Sequence, residues 1–179
     1  MSHINMGLAL RESVESDMAQ LTGMLEDAIA LLAMNNIDQW QNGTISNEDL
    51  LDAIMHDQGF VWEQRDATGI AGFCVLDTYD ELYEETLAEG KWTVEGPYLA
   101  IHRVMVSQHL RGRKVSTQMF LDIKKIAVVN HIASLRIDTH PDNVMMQKTL
   151  KRNGFVRTGL LYMPSGSPRY TYEFDLSHF

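Results

Sequence analysis

Several features that mark whole classes of protein are scarce or absent in this sequence. It has one cysteine, Cys74, among 179 residues, which excludes an internal disulfide and a cysteine-rich zinc site. No uncharged apolar stretch reaches the roughly 18 residues of a membrane span, and the first residues lack the basic and apolar segments of a secretory leader. We therefore expect a cytoplasmic protein with no membrane partner.

Glycine-rich nucleotide signatures are missing as well. The chain contains neither the G-x-x-x-x-G-K-S/T phosphate loop nor the G-x-G-x-x-G dinucleotide fingerprint, and it has no internal repeats. The remaining composition, 45% hydrophobic over 179 residues, is enough to bury one sizeable core. The sequence therefore predicts one domain that spans residues 1–179.

Positive charge is scarce in the first part of the chain. Residues 1–100 hold 3 Lys and Arg against 19 Asp and Glu, whereas residues 101–179 hold 12 against 5. This asymmetry favours an anionic ligand on the second part, although solvated charged faces on both parts would explain it too. A nucleic-acid partner is not expected, because such binders are usually basic throughout.

Apolar periodicity predicts an alternation of strands and helices. The predicted strands span residues 6–10, 60–64, 70–76, 98–106, 135–139, 155–161 and 169–176. The predicted helices span residues 18–32, 47–56, 115–127 and about 143–153. Within strand 98–106, simple alternation puts His102, Val104 and Val106 on one face and Met105 on the other.

Residues 77–97 interrupt this alternation with an acidic segment of seven carboxylates and one lysine. We expect an elaborated connection whose carboxylates form a solvated surface. Long insertions in compact domains are often functional, so a functional segment is the alternative.

A basic turn, Arg111-Gly112-Arg113-Lys114, joins a predicted strand to a predicted helix. The free N–H groups and the dipole of the helix N-terminus favour an anion there, and the three cationic side chains add full positive charges. A pyrophosphate would suit this turn. On these residues alone, a plain surface turn remains the alternative.

Residues 106–116, Val-Ser-Gln-His-Leu-Arg-Gly-Arg-Lys-Val-Ser, resemble the coenzyme A pyrophosphate loop of the GNAT N-acetyltransferases, whose pattern is Arg/Gln-x-x-Gly-x-Gly/Ala. A second signature of that family is similar too, since Asn143 opens a helix that Gly154-Phe155 closes. The resemblance covers nearly the whole chain and implies an α/β fold with a mixed central sheet flanked by helices. Residues 37–41, 101–103 and 137–143 further resemble a bacterial branch of the family.

The sequence departs from the family pattern at three positions. Lys114 occupies the position of the family's first loop glycine, and Ser116 occupies the position of its glycine or alanine. These two replacements would alter how the backbone approaches the phosphates. The Lys114 ammonium would then contact phosphate directly. Leu150 stands where many members carry the tyrosine that protonates the departing thiolate, so that proton must come from water or another group.

The resemblance implies acetyl-CoA as the cofactor, with coenzyme A as its product, and a set of residues that hold it. These are Val104, Met105, Val106, Arg111, Gly112, Arg113, Lys114, Val115, Ser116, Thr117 and Asn143. Backbone N–H groups of residues 104–106 would stabilise the developing oxyanion. Asn143 would hold the pantetheine arm, unless it is only a helix N-cap.

His102 lies four residues before Val106, where the family commonly places its catalytic glutamate or, in arylalkylamine acetyltransferases, a histidine. An attacking amine must lose a proton, and an imidazole with an ordinary pKa of about 6.5 accepts one at cytoplasmic pH. We expect His102 to be the catalytic base. A buried structural histidine is the alternative.

A second set of side chains is expected to line the acceptor site or to supply the missing acid. It comprises Trp40, Tyr98, Asp138, His140 and Tyr162. For the aromatic residues Trp40 and Tyr98, a place in the core is the alternative. No metal is expected, because His102, Asp138 and His140 lack the close spacing of a ligand set.

The predicted reaction is direct acetyl transfer from acetyl-CoA to a primary amine of a small molecule or peptide. Two other functions remain open at this stage. One is an acyl-CoA-binding regulator without catalysis, and the other is an interaction module that uses the acidic segment to bind a basic partner. Edge strands and the acidic segment also favour a homodimer.

Overall fold

The computed structural model describes residues 7–179, so the start of the first predicted strand, Met6, lies outside the described residues. The strands are β1 Leu8–Glu12, β2 Gly59–Gln64, β3 Ile70–Asp77, β4 Glu89–Gly90, β5 Tyr98–Val106, β6 Ser134–Thr139, β7 Val156–Tyr162 and β8 Pro168–Asp175. The helices are α1 Met18–Met34, α2 Asn47–Met55, α3 Glu81–Glu84, α4 Val115–Val129 and α5 Val144–Arg152. Within this described range, every helix is too short or too polar to cross a bilayer.

The strands form one sheet in the order β1-β2-β3-β5-β6-β8-β7-β4. The β5–β6 pair is parallel, and the other neighbouring pairs are antiparallel. Helices α1 and α2 pack on one face through residues such as Leu21 and Leu50, and α4 packs on the other through Phe120 and Ile123. The predicted α/β fold with a mixed central sheet flanked by helices is confirmed.

Strand β5 carries a β-bulge that changes which face its side chains occupy. Phe73 of β3 pairs with Met105 and Val75 pairs with His102, so β5 has one more residue than β3 between these pairs. Arg103 takes the left-handed conformation, with φ 55°, and its Nη1 atom donates a hydrogen bond to the Asp49 carbonyl of α2 at 3.1 Å. An extra residue in one strand shifts the side-chain alternation by one.

The shift overturns the simple alternation expected for residues 98–106. Val104 and Val106 pack against the core beneath α4, together with Ile101. Met105 packs against the core beneath α1 and α2, on the face opposite to Ile101. His102 therefore lies on the other face from Val104 and Val106, because the bulge at Arg103 separates them.

Strands β5 and β6 pair over only part of their length. Residues 98–100 of β5 pair with residues 134–136 of β6, and the ladder ends there. Beyond that point the two strands diverge, although both continue, to Val106 and to Thr139. Their divergence opens the sheet at its centre, where His102 lies.

Candidate active site

A large cleft occupies the gap between the diverging strands, with a volume of about 2080 Å³. Its walls come from β5 residues 101–106, the loop and first turn of α4, the end of β6, and the β7–β8 loop, residues 163–169. The α1–α2 loop, including Gln39 and Trp40, closes one side. Segments from most parts of the chain therefore meet in this one cleft.

The loop between β5 and α4 has the backbone geometry of a glycine-containing anion loop. Lys114 is the N-cap residue of α4 and adopts the left-handed conformation, with φ 61° and ψ 26°. Gly112 also has a positive φ, 79°. Lys114 thus holds a conformation that glycine adopts without cost and other residues rarely adopt. A non-glycine residue thus takes a left-handed conformation at the N-cap of α4.

The N-terminus of α4 faces the cleft without a side-chain cap. Among residues 7–179, no side chain caps the helix at Lys114. Val115, Ser116 and Thr117 of the first turn all line the cleft. The free N–H groups of a first turn, together with the helix dipole, bind anions. This end of the cleft is therefore suited to a phosphate group.

Charged side chains divide the cleft. Its loop end, which we call the basic end, carries the side chains of Arg111, Lys114 and Arg152. Among the described residues, the carboxylates of the cleft are Asp38, Asp52, Asp77, Asp80 and Asp138, and none comes from residues 104–117 or 143–153. The predicted residue Arg113 lies outside the lining, because its exposed side chain belongs to the outer side of the loop.

Asn143 lines the cleft and is also the N-cap residue of α5. Its Oδ1 atom accepts a hydrogen bond from the Met146 N–H at 3.2 Å, and its Nδ2 donates to Gln39 Oε1 at 3.3 Å. The same Gln39 oxygen accepts from the His140 N–H at 3.2 Å. Gln39, which the sequence did not single out, thus joins the α1–α2 loop to the end of β6.

His102 forms an ion-pair contact with Asp80 in the cleft. Its Nε2 atom lies 2.8 Å from Asp80 Oδ2, and the two side chains are 27% and 18% exposed. Asp80 comes from the acidic segment, where it caps α3 by accepting a hydrogen bond from the Tyr83 N–H at 3.1 Å. Because a carboxylate accepts, Nε2 carries the proton and Nδ1 of neutral His102 keeps its lone pair. None of the hydrogen bonds within residues 7–179 uses that Nδ1.

The surroundings of His102 favour its protonated form. Burial lowers its pKa, but the hydrogen bond to Asp80 and the negative charges of Asp138 and Asp80 outweigh burial, so that the net pKa is above 6.5. For Asp80, burial raises the pKa, and the hydrogen bond and charge of His102 more than reverse this. The two groups therefore stabilise each other as an ion pair.

Asp138 lies on the other side of His102 in a second buried cluster. Its Oδ2 atom accepts a hydrogen bond from the Tyr83 hydroxyl at 2.5 Å, and its Oδ1 is 3.8 Å from the Arg169 Nε. Burial raises the pKa of Asp138, and the charges of His102 and Arg169 only partly offset this. Burial also raises the pKa of Tyr83, so that this phenol remains a proton donor to Asp138 at neutral pH.

His140 is held in one neutral tautomer at the end of β6. Its Nδ1 atom accepts a hydrogen bond from the Asp142 N–H at 3.1 Å, which leaves the proton on Nε2. Burial and the charge of Arg169 lower the pKa of His140. The residue lines the cleft and therefore presents an N–H donor there.

Of the aromatic residues expected at the acceptor site, only Trp40 lines the cleft. Tyr98 is buried outside it, with its hydroxyl donating to Glu84 Oε1 at 2.6 Å and accepting from the Asp80 N–H at 2.9 Å. Burial and the Glu84 hydrogen bond raise the pKa of Tyr98 to about 12. Tyr162 is 53% exposed and points away from the cleft. Tyr98 thus holds the Asp80 segment in place from behind.

Leu150 is fully buried in the core beneath α4 and does not reach the cleft. Its neighbour Thr149 lines the cleft, but the Thr149 hydroxyl donates to the Met145 carbonyl at 3.0 Å. Within residues 7–179, no three His, Cys, Asp or Glu side chains are grouped to hold a metal ion. The titratable groups of the site are therefore those around His102.

Comparisons with known proteins identify the family. The model of the GNAT acetyltransferase family matches residues 27–155, and the chain belongs to this family. A GNAT acetyltransferase from Streptococcus agalactiae 2603 has 26% identity and a TM-score of 0.81, over 94% of this chain and 95% of that one. A GNAT acetyltransferase from Listeria monocytogenes has 18% identity and a TM-score of 0.73, over 98% of each chain.

The structure of YncA from Salmonella typhimurium, solved with its cofactor acetyl-CoA, has 12% identity and a TM-score of 0.66, over 97% of this chain and 96% of that one. Among curated proteins, no relative matches the chain. Members of the family transfer acetyl groups from acetyl-CoA, which is therefore the cofactor here. The basic end of the cleft fits this polyanion, because it offers uncapped helix N–H groups and cationic side chains, and no carboxylate of the described chain lines it within residues 104–117 or 143–153.

Proposed function

We propose that the protein is an N-acetyltransferase that acetylates a primary amine of a small molecule or peptide, with His102 as the catalytic base. The observation that carries this proposal is the His102–Asp80 pair in the gap between β5 and β6, with Nε2 and Oδ2 2.8 Å apart. His102 lies on β5, the strand that leads into the loop at the basic end. A base and an anion site are thus adjacent in one cleft.

His102 accounts for the proton that the amine must lose. An alkyl ammonium resembles the lysine side chain, with a pKa of about 10.4, so it must be deprotonated before it attacks. Asp80 fixes the Nε2–H tautomer and thereby directs the basic Nδ1 lone pair away from itself. The pair thus combines an oriented base with a pKa raised above 6.5 by the hydrogen bond to Asp80 and the nearby negative charges.

Acetyl-CoA supplies the thioester: a C–N bond to the amine forms, the C–S bond breaks, and coenzyme A leaves as its thiol. Of the two protons that leave the ammonium nitrogen, one ends on that thiol and the other in solvent. Leu150 offers no acid, and since thiols have an ordinary pKa of about 8.5, water suffices to return the proton. His102 holds a proton after it leaves the ammonium nitrogen and until the thiolate of coenzyme A is protonated.

The divergence of β5 and β6 also accounts for stabilisation of the carbonyl oxygen. The Ser107 N–H donates to the Ala71 carbonyl at 2.8 Å, on the side of β5 that faces β3. Because successive N–H groups alternate between the two edges of a strand, the Val106 N–H is directed to the opposite edge, which faces the gap. A donor at that position would stabilise the negative charge that develops on the carbonyl oxygen.

We assign cofactor binding to residues 104–106, to Arg111, Gly112 and residues 114–117, and to Asn143. The first turn of α4 would bind the pyrophosphate through its backbone, with Arg111 and Lys114 as the charged partners. The Asn143 amide oxygen is occupied by the cap of α5, so its part in holding the pantetheine arm would use the Nδ2 group.

The test combines calorimetric titration of acetyl-CoA with release of free thiol in the presence of a panel of primary amines. We expect Arg111→Ala to weaken acetyl-CoA binding. We expect His102→Gln to lower kcat by about 100-fold or more and to leave the dissociation constant of acetyl-CoA unchanged. Tight binding of acetyl-CoA with no thiol release for any amine would favour the non-catalytic regulator instead. Absence of binding would favour the interaction module.

A further inference from the structure

A buried arginine, Arg169, lies at the start of β8 and lines the cleft beside Asp138. The residue is 8% exposed. Its Nη1 atom donates to the Ser167 hydroxyl at 2.6 Å and to the Pro168 carbonyl at 2.7 Å. These two bonds anchor the guanidinium to the β7–β8 loop and fix its position.

The other donors of this guanidinium form no hydrogen bond with residues 7–179. The Nε atom lies 3.8 Å from Asp138 Oδ1, which is too long for a hydrogen bond. In the described part of the chain, no hydrogen bond uses Nε or Nη2 of Arg169. Neither Nε nor Nη2 is a fully buried atom without a partner, so both donors are accessible. Since Arg169 lines the cleft, a planar anion in the cleft can supply that partner.

His140 adds a second donor close to Arg169. Its Nδ1 accepts from the Asp142 N–H, so its Nε2 carries a proton, and its side chain is 9% exposed. The charge of Arg169 is strong enough at His140 to help keep this ring neutral. A neutral N–H donor next to a guanidinium is a suitable site for a carboxylate, because both groups donate and neither repels an anion.

The anion-binding donors are adjacent to the groups that would receive the amine. Asp138 contacts Arg169 on one side, and its charge acts on His102 on the other. The carboxylates near the amine are already compensated, Asp80 by His102 and Asp138 by Tyr83 and Arg169. A ligand that has an amine and an anion close together fits this arrangement. A polyamine would instead have to use the other carboxylates of the cleft, such as Asp38, whose negative charge acts on both Arg169 and His140.

We propose that the acceptor is an amino acid or a similar small amino carboxylate, with its carboxylate bound by Arg169 and His140 and its amine directed toward His102. This inference rests on the proposed function, since it identifies the class of amine at the same site. Arg169 is then a specificity-determining residue, and the cleft distinguishes its acceptor by the group beside the reacting nitrogen.

The first test uses the unmodified protein and matched pairs of acceptors. Each amino acid is compared with the amine that lacks its carboxylate, for example leucine with isoamylamine, phenylalanine with phenethylamine, and lysine with cadaverine. Thiol release from acetyl-CoA measures kcat/KM for each member. We expect the best acceptor to be an amino acid, with kcat/KM about 10- to 100-fold above that of its matched amine and most of the difference in KM.

The second test uses variants of two arginines. Arg169→Gln should lower kcat/KM for the amino acid by about 10- to 100-fold and leave the matched amine within about threefold. Arg169→Lys keeps the charge but lacks the planar guanidinium, so its kcat/KM for the amino acid should lie between the values of the unmodified protein and of Arg169→Gln. Arg157→Gln is the matched control, because Arg157 stacks on Tyr170, with its guanidinium carbon 3.4 Å from the ring centroid, outside the cleft. Arg157→Gln should leave kcat/KM unchanged for both the amino acid and its matched amine.

A binding measurement separates failure of this inference from failure of the proposed function. Amino acids are titrated calorimetrically into the protein saturated with coenzyme A. Arg169-dependent binding without turnover of any amine would support the carboxylate site and overturn the proposed acetyl transfer. Turnover that is equal or better for the decarboxylated amines or for spermidine would overturn the carboxylate site and leave the transfer intact. If Arg169→Gln does not fold, the comparison of matched acceptors in the unmodified protein decides.

Discussion

The Nε2 atom of His102 lies 2.8 Å from Asp80 Oδ2, and this contact joins the central strand β5 to the acidic segment of the chain. Asp80 is itself held by the α3 cap and by the Tyr98 hydroxyl, which accepts from its backbone N–H at 2.9 Å. Two contacts therefore fix the carboxylate of Asp80, and a third fixes its backbone. A fixed carboxylate next to an imidazole controls both the tautomer and the proton affinity of the ring.

The pH dependence of activity should report this contact. The pKa of His102 is raised above 6.5, so kcat/KM is expected to fall as the pH decreases through this raised pKa and the base becomes protonated. In Asp80→Asn the carboxylate charge that raises the pKa of His102 is lost, so the fall in kcat/KM should move to lower pH. A profile of kcat/KM between about pH 5 and pH 9 measures the shift. The control is Glu85→Gln, an exposed carboxylate of the same segment, and identical profiles for all three proteins would rule out the proposed role of Asp80.

Substitutions of Lys114 should separate the effect of its backbone conformation on stability from the effect of its side chain on acetyl-CoA binding. Its left-handed conformation, φ 61°, is one that glycine adopts freely, so Lys114→Gly should have a free energy of unfolding about 1 kcal/mol higher than Lys114→Ala. Both variants lose the ammonium group and should weaken acetyl-CoA binding alike, by about 3- to 10-fold. Denaturant unfolding and calorimetry measure the two quantities. Equal stability of the two variants would contradict the backbone argument.

The pairing of β4 with β7 depends on two glycines that touch. A Cβ atom added at Gly159 would lie 2.0 Å from the Glu89 carbonyl oxygen. Gly159→Ala should therefore separate the strands and lower the free energy of unfolding by about 1–3 kcal/mol. Gly23→Ala is the control, because a Cβ there meets no atom within 4 Å, and alanine in a helix should instead add up to about 1 kcal/mol. Thermal unfolding compares the two.

The N-terminal strand is tied to the start of α1 by an ion pair. Arg11 donates from Nη1 and Nη2 to the two carboxylate oxygens of Asp17, both at 2.8 Å, and Asp17 is 6% exposed. Arg11→Met should lower the free energy of unfolding by about 1–3 kcal/mol at pH 7. Lys148→Met, on an exposed face of α5, should change it by less than about 0.5 kcal/mol.

The cost of Arg11→Met should depend on pH in a definite direction. The hydrogen bond from Arg11 lowers the pKa of Asp17 below 3.8, so the stabilisation is present above that value and is lost as the pH falls through the folded pKa. The difference between the two proteins should therefore shrink in acid. A difference that stays constant from pH 7 to about pH 2 would count against the ion pair as its cause.

The strands, the helices and the position of the basic loop between β5 and α4 could be predicted from the sequence because their signals are local. The apolar spacing of residues 115–127 indicates a helix, and the structure has α4 at Val115–Val129. The bulge at Arg103 could not be predicted, because strand alternation is continuous in the sequence and the extra residue shows only against the partner strand β3. The expectation that His102 shares a face with Val104 and Val106 was wrong for that reason, whereas their placement opposite Met105 is confirmed.

The acidic segment, residues 77–97, likewise contributes to the site in a way that the sequence alone does not predict. Its charge density favours a solvated surface, yet it supplies both Asp80 and the buried Tyr83. The spacing of Asp80 and Tyr83 indicates a helix cap, which was the one local signal available. Nothing in the order of residues indicates that Tyr83 reaches Asp138, which is 55 positions further along the chain.

The sequence by itself determined the family, the α/β fold, the cofactor and the basic loop that fits it, because motif spacing and apolar periodicity are properties of contiguous residues. Only the tertiary structure decided that Asp80 pairs with His102, that Arg169 lies beside Asp138, and that Tyr98 and Tyr162 lie outside the cleft. These contacts depend on strand order and on the divergence of β5 from β6. Both follow from packing across the whole sheet, which no single segment specifies.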